Sequence, residues 1–186
     1  MVFFFSERLI RNIRIVGGTH GHERLGVFMV NNRDSFNLAP YDTLNVEFIM
    51  ANEIATKKSV RCVDYDLNDY DPKSAEPKNP EVARRQALQT EMGHTDFVID
   101  LHSTTAAMGT YLILNSQNDV VAQRLASDLL KERPLLKVSL CGFGVDCFLL
   151  CCVSLCPFTT ITDCLLVAFS FFSLSLCHHP APHTRS

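Results

Sequence analysis

His20 and Glu23 stand three residues apart in the run Gly17-Gly-Thr-His-Gly-His-Glu23, and His102 closes the run Phe97-Val-Ile-Asp-Leu-His102. Two imidazoles and one carboxylate form a donor set that can hold a catalytic zinc while leaving a coordination position open. The chemistry of such a set is hydrolytic, because the ion lowers the pKa of water and polarises a carbonyl. If a helical turn starts here, the three-residue spacing brings His20 and Glu23 to one side. Asp100 lies two residues before His102, so in an extended chain it points the same way and can orient the imidazole from behind. The plainer readings are a satisfied polar histidine at a strand end and a solvent or cap contact for Asp100. Arg61 and Asn68 are candidate substrate ligands. Arginine suits a developing oxyanion or a fixed carboxylate, and asparagine can orient an anionic group. Taken singly, both read as surface polar residues.

These side chains need elements to position them. Residues 11–18 form a strand with a β-branched core, Ile13, Ile15 and Val16, and Gly17-Gly18 lets the chain turn sharply after it. Residues 23–32 fit a helix, with Gly26 weakening it. Residues 36–42 read as loop and 44–50 as a second strand. Residues 52–71 are polar with weak periodicity, and the short apolar stretch within them, Val60 to Asn68, flanked by charge, reads as a loop beside a site. Pro80 opens a helix over 81–92, which Gly93 stops. Residues 97–101 and 111–114 are short apolar strands, and 120–131 is a helix with Val121, Leu125 and Leu129 on one face. Helices between strands imply an α/β domain with a mixed or mostly parallel sheet and flanking helices. The glycines make neither a dinucleotide fingerprint nor a phosphate loop, because the spacing and the terminal lysine are absent.

Composition divides the 186 residues near position 138. Of 17 Lys and Arg only Arg185 lies beyond residue 137, and of 20 Asp and Glu only Asp146 and Asp163 do. Cys62 alone among the 8 cysteines precedes that point. A single cysteine in the first segment favours a reducing, cytoplasmic setting over a disulfide scaffold. The formal charge of -3 gives no reason to expect nucleic acid as a partner. The uncharged runs 147–162 and 164–177 are shorter than the roughly 20 residues a spanning helix needs, so no membrane partner is expected. The cysteines and histidines of the tail repeat no structural-zinc spacing.

Three ordered runs, Gly17-Gly-Thr-His-Gly-His-Glu23, Arg61-Cys-Val-Asp-Tyr-Asp-Leu-Asn68 and Asp100-Leu-His-Ser-Thr-Thr-Ala-Ala-Met-Gly109, carry a resemblance to the aspartoacylase and succinylglutamate desuccinylase family. It covers roughly residues 11–135 and looks closest to the aspartoacylase-type members. The resemblance implies a zinc carboxypeptidase-like fold and one Zn2+ per chain, on His20, Glu23 and His102. It implies that Arg61 polarises the scissile carbonyl, that Asn68 contacts the substrate carboxylate, and that the substrate is a small N-acyl amino acid such as N-acetyl-aspartate. Family members cleave the amide with metal-activated water while a glutamate moves its proton to the leaving amine.

The departures from the family pattern are Asp69 in place of arginine, His22 in place of asparagine and Glu53 in place of proline. Asp69 would repel a substrate carboxylate, which favours a related deacylase or carboxypeptidase with another substrate. No Glu follows Glu132, so the family's catalytic glutamate and C-terminal β-rich domain have no counterpart. Losing a positioned acid–base group typically costs about 10²–10⁴ in rate. The expectation is a partial zinc-hydrolase domain over 1–137, incomplete at its C-terminus. An apolar Cys/Ser-rich tail over 138–186 would follow, as a non-native continuation or a disordered segment. A non-catalytic zinc-binding fragment is the alternative, a membrane-tethered form using 147–177 a further one, and a homo-oligomer stays open.

Overall fold

The computed structural model describes residues 10–39, 42–68, 78–93, 95–103, 111–114, 120–132, 137–140 and 151–155. Six strands make one sheet: β1 (Asn12–Gly17), β2 (Asn45–Met50), β3 (Phe97–Ser103), β4 (Tyr111–Leu114), β5 (Lys137–Leu140) and β6 (Cys151–Leu155), in the order β2-β1-β3-β6-β4-β5. β2, β1, β3 and β6 run parallel; β4 is antiparallel to β6 and parallel to β5. Among the described residues four α-helices accompany them, α1 (Arg24–Asn31), α2 (Glu53–Lys58), α3 (Pro80–Met92) and α4 (Val120–Glu132). This is the mixed, mostly parallel α/β architecture expected from the pattern of elements.

The strand sequences follow their places in the sheet. β3 has neighbours on both sides and reads as a near-continuous buried run from Phe97 to His102, as a strand covered on both faces should. β2 is an edge strand and alternates exposed with half-buried positions over its first four residues. On one face Val16 and Val98 pack with Val82 and Met92 of α3 and with Ala51, Tyr65 and Leu67. Arg84 fastens α3 to the end of β2, where its Nε and Nη2 donate to the carbonyls of Ala51 and Met50 at 3.0 and 3.1 Å.

α1 rests on β1 and β3 at backbone distance. A Cβ on Gly26 would meet the Leu101 carbonyl oxygen at 2.7 Å and Gly17 Cα at 3.0 Å. Gly26 is therefore needed for packing, although in propensity terms it weakens the helix. α2 lies inside the polar stretch whose weak periodicity announced no element. Asn52 caps it by accepting from Ala55 N–H at 3.0 Å, Glu53 sits in its first turn and Lys57 and Lys58 in its last. β5 and β6 are also additional to the expected elements. Most of the tail, residues 141–150 and 156–186, lies outside the described residues. No helix among the described residues is long and apolar enough to cross a membrane.

The topology fixes where a ligand belongs. From β1 the chain moves outward to β2, then returns to place β3 on the other side of β1. The crevice beyond the carboxyl ends of β1 and β3 is thus a topological switch point, where open α/β sheets bind ligands.

Candidate metal centre

His20 follows the end of β1, after a turn in which Gly18 takes φ 71°. That value is open to glycine and strained for most other residues. Glu23 is the N-cap of α1, yet its carboxylate caps nothing. It is turned into the crevice instead. His102 comes from the end of β3. Register places Gly17 beside Leu101, so both histidines emerge from the same end of neighbouring strands. The ligand atoms of His20, Glu23 and His102 lie within 4.8 Å of one another, and all three residues are buried.

Glu23 stands between the two rings. Its Oε1 is 2.6 Å from His20 Nδ1 and its Oε2 is 3.0 Å from His102 Nδ1. Oε2 also accepts the Ser103 backbone N–H at 2.8 Å. Burial raises the Glu23 pKa, but the hydrogen bonds to His102 and His20 outweigh it and hold the carboxyl well below its usual range. The ring centroids of His20 and His102 are 4.9 Å apart.

Each imidazole turns its other nitrogen to a second carboxylate. His102 Nε2 is 2.7 Å from Asp100 Oδ2, and Asp100 Oδ1 accepts from Thr19 Oγ1 at 2.9 Å. His20 Nε2 is 3.2 Å from Asp66 Oδ1. Both Nδ1 atoms are therefore aimed at the common centre, with a carboxylate behind each ring, the usual setting of a ligating histidine. Three carboxylates around two imidazoles also give the pocket a surplus of negative charge. The donors fit a small divalent cation.

Arg61 and Asn68 belong to the loop over 61–68. Arg61 Nε donates to Asp66 Oδ2 at 2.8 Å, and its carbonyl accepts from Gly21 N–H at 3.2 Å. The Arg61 side chain is 56% exposed, so its contact with Asp66 leaves it open to solvent and to a ligand. Asn68 is exposed, and its backbone N–H donates to Asp66 Oδ1 at 2.9 Å. Burial pushes the Asp66 pKa up, while the Asn68 amide, His20 and Arg61 together bring it below its ordinary value. Asp69 lies outside the described residues, as do the tail histidines.

Sequence reasoning did not single out Asp66, Thr19 or Glu81. Glu81 is the first-turn acid of α3, buried beneath the 61–68 loop, and accepts the amides of Val63, Asp64 and Tyr65. The local signal for it was the Asn79-Pro80-Glu81 helix start, which predicts a solvent-facing acid rather than a buried one.

Comparison with known proteins bears on this arrangement. Residues 10–134 match the family model "Succinylglutamate desuccinylase/Aspartoacylase catalytic domain". The human N-acyl-aromatic-L-amino acid amidohydrolase (carboxylate-forming) is 35% identical over 148 residues, covering 68% of this chain and 44% of that protein. Mouse aspartoacylase is 37% identical over 135 residues, covering 63% and 42%. The crystal structure of murine aminoacylase 3 aligns with a TM-score of 0.73 at 25% identity, over 92% of this chain and 66% of that one. The chain spans less than half the length of the curated relatives it matches.

Proposed function

The chain belongs to the succinylglutamate desuccinylase/aspartoacylase catalytic-domain family, and from that premise we propose that it is the zinc-holding part of a hydrolase that cleaves the amide of an N-acyl amino acid. The observation that carries this reading is the convergence of His20, Glu23 and His102 on one buried centre. A zinc ion held by these three would supply Lewis acidity, lowering the pKa of a water and polarising the acyl carbonyl.

The remaining work falls to the chain itself. Asp100 holds His102 in the orientation that presents Nδ1. Arg61, exposed at its outer end, is the cation for the carbonyl oxygen as charge develops on it, and Asn68 is the contact for the substrate's carboxylate. Asp69 in place of a cation disfavours an acidic amino-acid portion, so the aromatic class named for the human relative is as good a substrate candidate as N-acetyl-aspartate. Cys62, a free thiol, supports a reducing, cytoplasmic setting. A second reading of the same donor set is zinc binding with little or no turnover.

The test is metal content followed by acid release. The purified chain is expected to hold one zinc, removable by chelator, and His20→Ala or His102→Ala should lower that content. Incubation with N-acetyl-aspartate and with an N-acetyl aromatic amino acid, before and after zinc removal, separates the two readings. A chain that holds no zinc would overturn both.

A further inference from the structure

Asp66 reaches the metal centre from a part of the chain that supplies none of the ligands. Its Oδ1 is 3.2 Å from His20 Nε2 and accepts the Asn68 backbone N–H at 2.9 Å, while its Oδ2 accepts Arg61 Nε–H at 2.8 Å. One carboxylate thus touches both a metal ligand and the arginine assigned to the substrate carbonyl. The loop under it is anchored by a second carboxylate. Glu81 accepts the consecutive amides of Val63, Asp64 and Tyr65 at 2.9, 2.7 and 2.7 Å. The Asp66 side chain is also mostly covered, 22% exposed. A carboxylate anchored from below imposes its position on the ring it faces.

We infer that Asp66 is a positioning residue that orients His20 toward the ion and Arg61 toward the substrate carbonyl. The two halves of the site are then set by a single side chain. This rests on the hydrolase reading above and adds a residue to it. The physical reason is tautomeric. A neutral imidazole that ligates through Nδ1 keeps its proton on Nε2, and Asp66 Oδ1 is the acceptor that holds that proton and the ring plane in place. Arg61, bound to the other oxygen, fixes the plane of the carboxylate in turn.

Zinc alone is the probe, titrated into the full 186-residue chain against a chromophoric chelator. Asp66→Ala is expected to weaken zinc about 10–100-fold. In a His20→Ala background the same substitution should change affinity less than about threefold, because the ring it orients is gone and the two effects stop being additive. A merely structural role would loosen the whole loop and weaken zinc by the same factor in both backgrounds. That result would overturn the inference, as would an Asp66→Ala chain with His20 intact that binds zinc as tightly as the unaltered chain. If Asp66→Ala does not fold, Asp66→Asn, which keeps the shape and one acceptor oxygen, carries the same comparison with an expected loss of at least about threefold. An unaltered chain that binds no zinc overturns the hydrolase reading itself, and is recognised before any substitution is made.

Discussion

Glu81 is 1% exposed and receives four hydrogen bonds, from the amides of Val63, Asp64 and Tyr65 and from Asn52 Nδ2 at 2.7 Å. Burial raises its pKa, but the Asn52 amide and the three backbone donors bring it below the ordinary glutamate value. A lowered folded-state pKa contributes stability that is complete above the unfolded-state value, about 4.3, and is lost as pH falls through the folded one. The expected outcome is a fall in unfolding free energy below about pH 4 that Glu81→Gln flattens, read from denaturant melts across that range. Glu81→Ala strands two buried donors, the Tyr65 amide and Asn52 Nδ2, each worth about 1–3 kcal/mol, together with the part-buried Val63 and Asp64 amides, and should be among the most destabilising single changes in the described chain. A behind-the-ring acid makes a different kind of prediction. Asp100→Ala should leave the fold largely intact and weaken zinc about 10–100-fold, measured by chelator competition. The pairs His20 with Glu23 and Asp100 with His102 were legible in the sequence because the members of each stand three and two residues apart. Asp66 and Glu81 were not, because the contacts that give them their roles reach 46 residues to His20, and 16 to 29 residues to Tyr65, Asp64, Val63 and Asn52, beyond any local pattern.

At the scale of elements, the seating of α1 decides where Glu23 points. Gly26→Ala tests it by setting two effects against each other. Alanine gains about 1 kcal/mol of helix propensity over glycine. Its Cβ, however, would lie 2.7 Å from the Leu101 carbonyl oxygen and 3.0 Å from Gly17 Cα, both backbone atoms that no rotamer change can move aside. Overpacking of this kind typically costs about 1–3 kcal/mol, so a net loss of stability and a weaker zinc site are expected in urea melts and metal titrations. A gain in stability would mean that propensity outweighs contact there. The sequence showed β1 and β3 clearly, since buried parallel strands read as short apolar runs ending at glycine or a polar ligand. It hid α2, whose six residues are too few for an apolar stripe. Its cap and charge order, Asn52, Glu53 and then Lys57-Lys58, was the available signal, and it competes with the polar character of the surrounding stretch.

For the molecule as a whole, the decisive question is where the cooperative unit ends. Composition breaks near residue 138, which argues for a domain over 1–137. The strand order places β6 between β3 and β4, with Val153 opposite Leu101 on one side and Leu112 on the other. Nothing in the periodicity of the tail announced that strand, because an apolar Cys/Ser-rich run fits a core strand and an unstructured segment equally well. A proline cannot donate to a ladder and is not accommodated in an inner strand. Val153→Pro in the full chain therefore separates the alternatives. If β6 belongs to the folded unit, the substitution should lower the unfolding midpoint. It should also speed hydrogen exchange at the Leu101 and Leu112 amides, and weaken zinc because β3 carries His102. Exchange and midpoint unchanged by the proline would put β6 outside the cooperative unit and return the metal-holding domain to residues 1–137.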